Sequence, residues 1–171
     1  IRNGDRVGML SFTEQVEDFL PPRKTRGHAW SVLRAAFDAP PARTGTDLGA
    51  ALEHLGRMLK RRAVICVLSD FMSPTPFARP LAVLSRRHQV NCFVLHDPLE
   101  AQMPSVGLIE VEDAETGQRK LIDTSTLRPR VPVKQRLKQV RKGGAWASPV
   151  STAEDPFHQL LAHFRKLEHM R

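Results

Sequence analysis

Long hydrophobic runs are missing from this 171-residue chain, and cysteine is scarce. The longest apolar stretches, 63–68 and 92–95, are much shorter than the roughly 18 residues that a membrane-spanning helix needs. The only two cysteines, Cys66 and Cys92, lie inside those stretches and form no Cys-x-x-Cys motif. A disulfide framework is therefore excluded, and both cysteines are expected to be buried. A reducing, cytoplasmic location is the default expectation.

The motifs of common catalytic machinery are also missing. The chain has no Gly-x-Ser-x-Gly nucleophile elbow, no Gly-x-x-x-x-Gly-Lys loop and no Gly-x-Gly-x-x-Gly fingerprint. Its seven histidines are scattered, and none forms a closely spaced pair of the kind that binds zinc. Nucleophilic catalysis, phosphate-loop chemistry and zinc chemistry therefore find little support in the sequence.

Positive charge is present in excess, but it is concentrated in one segment. The net charge is +8, and residues 128–142 carry seven basic residues and no acidic one, so the rest of the chain is nearly neutral. The basic residues are Arg128, Arg130, Lys134, Arg136, Lys138, Arg141 and Lys142. Val133, Leu137 and Val140 form an apolar stripe at helical spacing, which predicts a helix that packs on the domain with a solvated basic face. Binding of nucleic acid or an anionic surface through this segment is the alternative function.

Strand-like and helix-like segments alternate along most of the chain, which predicts one α/β domain over 1–171. Strands are expected at 7–12, at 16–20 where Pro21 and Pro22 follow, at 63–68 and at 90–95, and helices at 27–38, 48–59, 77–84 and 157–167. Because 63–68 is continuously apolar, it is expected to be a strand of a parallel sheet buried on both faces. Residues 106–112 and 118–122, flanking 113–117, predict a β-hairpin insertion.

Two oxygen-bearing side chains stand out from this pattern. Asp70 follows the apolar strand at the carboxyl edge of the expected sheet, where α/β folds place their ligands. Thr46 lies in the loop before a helix that is expected to pack on the same sheet. Hydroxyl and carboxylate oxygens suit Mg²⁺, but Thr46 and Asp70 could equally cap the turns that follow them, and spacing alone leaves both interpretations open. A phosphotransferase function with Asp70 as the nucleophile is disfavoured, because no second carboxylate follows two residues later.

A series of short motifs, in order and over nearly the whole chain, resembles one family. The motifs are Gly4-Asp5-Arg6-Val7-Gly8, Phe12, Pro21-Pro22-Arg23-Lys24, Gly45-Thr46-Asp47-Leu48, Leu68-Ser69-Asp70-Phe71, Arg86-Arg87-His88, His96-Asp97-Pro98, Gly107 and Asp123-Thr124. The family is the bacterial family of unknown function that has a von Willebrand factor A-like domain and is associated with MoxR-type AAA+ ATPases. The resemblance implies a Rossmann-like, mostly parallel sheet flanked by helices.

The resemblance also implies a partial metal-ion-dependent adhesion site. In the von Willebrand factor A fold this site uses an Asp-x-Ser-x-Ser motif after the first strand, a later Thr and a later Asp. Thr46 and Asp70 match the Thr and the Asp. The Asp-x-Ser-x-Ser motif has no counterpart here, because 7–12 matches the second strand. The chain is therefore expected to be truncated at its N-terminus, to lack the first central strand and to bind Mg²⁺ or Mn²⁺ only weakly.

By the same resemblance, the domain is expected to be a non-enzymatic protein-binding module. An acidic side chain of a partner would complete the coordination of the metal held by Thr46 and Asp70. The expected partner is a MoxR-type AAA+ ATPase that acts in the assembly or maturation of other proteins. Nucleic-acid binding is disfavoured, because segment 128–142 has no aromatic residues on which bases could stack.

Overall fold

The computed structural model describes residues 4–38, 45–98, 107–112, 119–124 and 131–169. The strands in these ranges are β1 (Val7–Phe12), β2 (Val16–Arg23), β3 (Val64–Ser69), β4 (Gln89–His96), β5 (Leu108–Glu112), β6 (Arg119–Asp123) and β7 (Trp146–Ser151). The helices are α1 (Arg26–Asp38), α2 (Leu48–Met58), α3 (Ala78–Arg87), α4 (Val133–Lys142) and α5 (Pro156–His169). The protein is thus a mixed α/β structure, as the alternating pattern predicted.

The chain divides into two compact units. One unit comprises Ile1–Lys60 with Ser73–Pro80, and the other comprises Arg61–Met72 with Leu81–Arg171. The first contains the β1–β2 pair with α1 and α2, and the second contains the parallel sheet. No helix in the described ranges is both long and apolar enough to cross a membrane.

In the first unit, β1 and β2 form an antiparallel pair that contains a bulge. The expectation that β2 stops before the two prolines is wrong, since the strand continues to Arg23. Met9 is opposite Leu20 and Val7 is opposite Arg23, so β2 has one extra residue there. Prolines are tolerated at such a bulge because it interrupts the ladder hydrogen bonds that they cannot donate. Gly8 permits the close approach, since a Cβ at this position would lie 2.6 Å from the Leu20 carbonyl oxygen.

Helix α1 forms where the sequence predicted it, but its apolar residues are exposed. Its inner side is linked to β1 by the His28 Nε2 atom, which lies 3.1 Å from the Val7 carbonyl oxygen. Trp30, Leu33 and Phe37 are 72%, 49% and 85% exposed and line an open cavity of about 520 Å³. Helical spacing of apolar residues therefore identified the helix without identifying a buried face.

In the second unit, a three-stranded parallel sheet has the order β3-β4-β7. The predicted adjacency of the two apolar strands is confirmed, because Val67 pairs with Cys92 across β3 and β4. The central strand β4 is fully buried from Val90 to Val94. Helices α4 and α5 pack against this sheet, with α4 contacting β4 and β7 and α5 contacting β7.

Strand β3 is buried on one face only, so the expectation of burial on both faces is wrong. Ile65 and Val67 face the core, whereas Val64 and Leu68 are 62% and 60% exposed. Cys66 shares the exposed side, so only Cys92 of the two cysteines is buried as expected. The physical reason is that successive side chains of a strand point to opposite faces, and the helices that pack on this sheet, α4 and α5, lie on β4 and β7.

The predicted hairpin is confirmed in its strands. Leu108 pairs with Asp123 and Glu112 with Arg119 in antiparallel register. Gly107 adopts a φ of 86°, and its carbonyl oxygen accepts a 2.8 Å hydrogen bond from the Thr124 hydroxyl, which closes the base of the hairpin. The expected turn at 113–117 and the first residues of the two expected strands, Val106 and Gln118, lie outside the described residues.

Candidate functional site

A short, strained turn carries Asp70 at the carboxyl end of β3. The Phe71 amide donates to the Ser69 hydroxyl oxygen at 3.0 Å, and the Met72 amide donates to Asp70 Oδ1 at 3.0 Å. Phe71 is buried and has a φ of 57°, a left-handed conformation that costs about 1–2 kcal/mol for a residue with a side chain. Strain of this kind is concentrated at functional positions in proteins.

The carboxylate of Asp70 is exposed, and only one of its two oxygens accepts a hydrogen bond within this turn. Its Oδ1 accepts the Met72 hydrogen bond, which confirms the alternative that Asp70 caps a turn. Its Oδ2 has no hydrogen-bond partner within the described part of the chain. Asp70 therefore closes the turn and also presents a free oxygen at the sheet edge where α/β folds bind ligands.

A buried arginine donates a hydrogen bond to the backbone of this turn. Arg136 of α4 donates from Nη1 to the Asp70 carbonyl oxygen at 2.7 Å and to the Leu95 carbonyl oxygen at 3.3 Å. The residue is only 4% exposed, and its Nε is buried without a hydrogen-bond partner among the described residues. Arg136 thus joins the ends of β3 and β4 through their carbonyl groups.

This role of Arg136 was not predicted, since the residue was expected on a solvated basic face. That expectation is wrong for Arg136, although Lys134, Lys138, Arg141 and Lys142 of the same helix are exposed as predicted. Arg128 and Arg130 lie outside the described residues. A signal was available, because position 136 is three residues after Val133 and four before Val140, on the same helical face.

Thr46 lies in the first unit, in the loop before α2. The helix is capped by the neighbouring Asp47, whose carboxylate accepts the Ala50 amide at 2.9 Å and the Thr75 hydroxyl at 2.7 Å. These two hydrogen bonds lower the pKa of Asp47. The alternative that Thr46 itself caps α2 is therefore wrong. The Thr46 carbonyl oxygen accepts a 3.4 Å hydrogen bond from the Ser73 hydroxyl, while the Thr46 hydroxyl has no partner within the described ranges.

The side chains of Asp70 and Thr46 have the chemistry of metal ligands, but two side chains are few for a metal site. In the part of the chain that the structure describes, no group of three or more His, Cys, Asp or Glu side chains is placed to hold a metal ion. Asp70 Oδ2 and the Thr46 hydroxyl are free, hard oxygen donors of the type that Mg²⁺ uses. Asp70 lies in the parallel sheet unit and Thr46 in the first unit.

A second polar cluster lies inside the parallel sheet unit. The Ser148 hydroxyl is 2.8 Å from His163 Nδ1, and His163 Nε2 is 3.1 Å from Asn91 Oδ1. Asn91 is fully buried and His163 is 4% exposed. Burial and the nearby Lys166 lower the pKa of His163, which keeps the imidazole neutral. Because a substrate has no access to these buried groups, we interpret the cluster as a polar bridge that holds α5 on the sheet.

The fold and the Asp70 turn together define a class of protein: an α/β domain with a parallel sheet and a carboxylate exposed at the sheet's carboxyl edge. The chain belongs to the family described as "Protein of unknown function DUF58", whose model matches residues 1–142. The matched residues include the loop of Thr46, the Asp70 turn and α4.

Among its relatives are uncharacterized proteins of mycobacteria. The chain is 34% identical over 116 residues to the uncharacterized protein Rv1480 of Mycobacterium tuberculosis, an alignment that covers 67% of this chain and 37% of the relative. It is also 34% identical over 100 residues to the uncharacterized protein MAV169 of Mycobacterium avium, covering 57% of this chain and 59% of the relative. The chain thus spans little more than a third of the length of the first of these relatives.

Solved structures of similar fold come from Bacteroides. The conserved hypothetical protein BatB of Bacteroides thetaiotaomicron superposes with a TM-score of 0.62 at 16% identity, covering 96% of this chain and 79% of that chain. An aerotolerance-related membrane protein of Bacteroides fragilis superposes with a TM-score of 0.54 at 18% identity, covering 86% and 73%. At such low identity, these similarities concern the fold.

Proposed function

We propose that this chain is a non-enzymatic protein-binding module of the von Willebrand factor A type, with a partial metal-ion-dependent adhesion site. The observation that carries the proposal is the Asp70 turn. Its carboxylate is exposed at the carboxyl edge of a parallel sheet, on a backbone that is held in a strained conformation by hydrogen bonds. Backbone strain of this kind is concentrated at functional positions, which supports a role for the Asp70 carboxylate.

In this proposal, the Asp70 carboxylate binds a Mg²⁺ or Mn²⁺ ion, and Thr46 is the second ligand that the family resemblance implies. The free oxygen of Asp70 and the unused hydroxyl of Thr46 support this assignment, as does the capping of α2 by Asp47. When bound, the cation supplies a positive charge that an acidic side chain of a partner can coordinate. Affinity in this chain is low, because two protein ligands define the octahedral shell of Mg²⁺ poorly and the ion gives up its waters reluctantly.

The proposed partner is a MoxR-type AAA+ ATPase, and the proposed setting is the cytoplasm, where such an ATPase has access to ATP. The resemblance of the chain to a family that is associated with such ATPases supports this partner. The absence of catalytic motifs from the sequence agrees with a binding role. The ATPase would perform the energy-requiring step, and this chain would recognise the protein on which it acts or attach the ATPase to it.

The metal part of the proposal is tested by calorimetry with MgCl₂ and MnCl₂. We expect weak binding by the wild-type chain, and none by Asp70→Asn or Thr46→Val, because each removes one oxygen donor. Glu154→Gln is the matched control, since it removes an exposed carboxylate elsewhere in the parallel sheet unit. Micromolar binding of Mg²⁺, or binding that Asp70→Asn leaves unchanged, would contradict the assignment.

A further inference from the structure

The Arg136 guanidinium occupies an unusual position for a charged group. It is 4% exposed, and no carboxylate among the described residues pairs with it. Its contacts are two backbone carbonyl oxygens, one at the end of β3 and one at the end of β4. Its Nε is buried without a hydrogen bond in the described part of the chain. Burying an arginine in this way is costly, and an apolar side chain could fill the space at lower cost.

The shorter of the two contacts of Arg136 is made with a single peptide group in the turn. The Asp70 carbonyl oxygen accepts the shorter of the two hydrogen bonds, 2.7 Å. This carbonyl belongs to the peptide that joins Asp70 to Phe71, the residue with a φ of 57°. Fixing the peptide on one side of a strained residue restricts the backbone rotations that would relax it. The same guanidinium is fixed at its other contact by Leu95, at the end of the central strand.

We propose that Arg136 is the positioning residue of the candidate site: it locks the Asp70–Phe71 peptide and thereby holds the Asp70 carboxylate in place at the sheet edge. This inference rests on the proposed function in one respect, namely that Asp70 binds a cation. Arg136 makes no contact with the cation. It acts through the backbone, and the Ser69 and Asp70 side chains complete the turn by accepting the Phe71 and Met72 amides.

The test compares three variants of the full chain by ¹⁵N relaxation. Arg136→Met keeps most of the side-chain volume and removes every donor, Arg136→Lys keeps a donor, and Lys138→Met changes an exposed cation of the same helix. For the wild type we expect backbone order parameters near 0.85 at residues 70–72, the value of rigid backbone. In Arg136→Met they should fall below about 0.6 at these residues while those of β4 stay unchanged.

The Arg136→Lys variant distinguishes a positioning role of Arg136 from a general contribution to the stability of the fold. Arg136→Lys should restore most of the order at 70–72, and Lys138→Met should match the wild type. A residue that only stabilised the fold would change the urea midpoint without changing the fast motions of this turn in the folded protein. Unchanged order parameters at 70–72 in Arg136→Met would overturn the inference, and so would a loss of order spread evenly over β4 and the turn.

Binding of Mn²⁺ by the same variants keeps the two proposals distinguishable. Arg136→Met should weaken Mn²⁺ binding by about tenfold, as loss of a group that orients a metal ligand does. If the wild type binds Mn²⁺ and Arg136→Met binds it equally well, the positioning role is wrong while the metal site stands. If wild type and Asp70→Asn both fail to bind Mn²⁺ while the loss of order at 70–72 is observed, the metal assignment is wrong and the role of Arg136 in the turn stands.

Discussion

At the scale of single residues, two buried histidines make the stability of this protein depend on pH. His88 and His163 are each 4% exposed. Burial lowers the pKa of both imidazoles below 6.5, helped by Arg87 at His88 and by Lys166 at His163. The Ala63 amide donates to His88 Nδ1 at 3.3 Å, so protonation at that nitrogen would also break a hydrogen bond.

The sign of the effect follows from proton binding. Below pH 6.5 the unfolded chain takes up protons that the folded chain does not, so lowering the pH favours unfolding. We expect the contribution of the two neutral histidines to the free energy of unfolding to be fully present above pH 6.5. It should decrease as the pH falls from there towards the lower pKa values of the folded state. Urea denaturation at about pH 7.5 and about pH 5.5 measures the change.

Two variants identify the source of this pH dependence. His163→Gln should be less stable at neutral pH and should lose part of the difference between the two pH values, since one of the two buried imidazoles is gone. His169→Gln, at an exposed position, is the control and should retain the full difference. Equal unfolding free energies at both pH values in the wild type would contradict the account.

The residue scale is also where sequence reasoning was least complete. Asp70 and Thr46 could be selected from their positions after a strand and before a helix. Arg136 could not be recognised as buried from its charge, since a charged residue on a helix is usually solvated; only its spacing from Val133 and Val140 indicated the buried face. Its burial depends on carbonyl groups supplied by Asp70 and Leu95, which are 66 and 41 residues away along the chain.

At the scale of elements, the bulge of the β1–β2 pair depends on Gly8. A Cβ at Gly8 would lie 2.6 Å from the Leu20 carbonyl oxygen and 2.9 Å from the Pro22 nitrogen, both of them backbone atoms that cannot move independently. We expect Gly8→Ala to destabilise the protein by about 1–3 kcal/mol. Gly27→Ala is the control: its Cβ would meet nothing within 4 Å, and alanine favours the helix by up to about 1 kcal/mol. Urea denaturation that shows both variants equally stable would contradict the register of this pair.

Helix α4 provides the element-scale test of the alternative function. Its exposed lysines Lys134, Lys138 and Lys142 are available to phosphates, whereas Arg136 is buried. We expect DNA and RNA binding to be weak and to vanish near 0.15 M salt, where the Debye length is about 8 Å. Replacing the three lysines by glutamine should weaken any low-salt binding without unfolding the helix, because Leu137 and Val140 remain in place. Arg141, which is also exposed and donates to the Ala147 carbonyl oxygen, is left unchanged.

The contrary result of this binding assay is equally clear. Binding that persists near 0.15 M salt, with a log–log salt slope of several units at about 0.9 per phosphate on duplex DNA, would establish nucleic acid as a ligand. Loss of that binding in the triple lysine variant would assign it to α4. Arg136 is left unchanged in this experiment, because its removal would disturb the Asp70 turn.

There is a physical reason why the sequence predicted some strands and missed part of others. Apolar runs identified β3 and β4 because strands of a parallel sheet are rich in such residues. The same rule failed for the exposed side of β3, since an apolar residue reports a strand but not what lies against it. The extension of β2 through Pro21 and Pro22 was missed because it depends on the bulge opposite Gly8, a property of pairing and not of either segment alone.

At the scale of the whole molecule, family membership, the α/β fold and the Asp70 turn support a single account. A parallel sheet presents an exposed carboxylate at its carboxyl edge, Arg136 holds the backbone beneath it, and Thr46 retains a free hydroxyl in the other unit. The sequence predicted the mixed α/β architecture, which is confirmed, and it named Thr46 and Asp70 as ligand candidates, whose metal binding stays a prediction. The carbonyl partners of Arg136, at Asp70 and Leu95, follow only from the folded arrangement of α4, β3 and β4.

The most direct test of the central claim is binding to a MoxR-type AAA+ ATPase from the same organism, measured by biolayer interferometry with the full chain in Mg²⁺ and in EDTA. The account predicts that binding requires Mg²⁺, that Asp70→Asn weakens it at least about tenfold, and that Glu154→Gln leaves it unchanged. Equal binding by the wild type and Asp70→Asn, in Mg²⁺ and in EDTA alike, or no binding by the wild type in Mg²⁺, would contradict it.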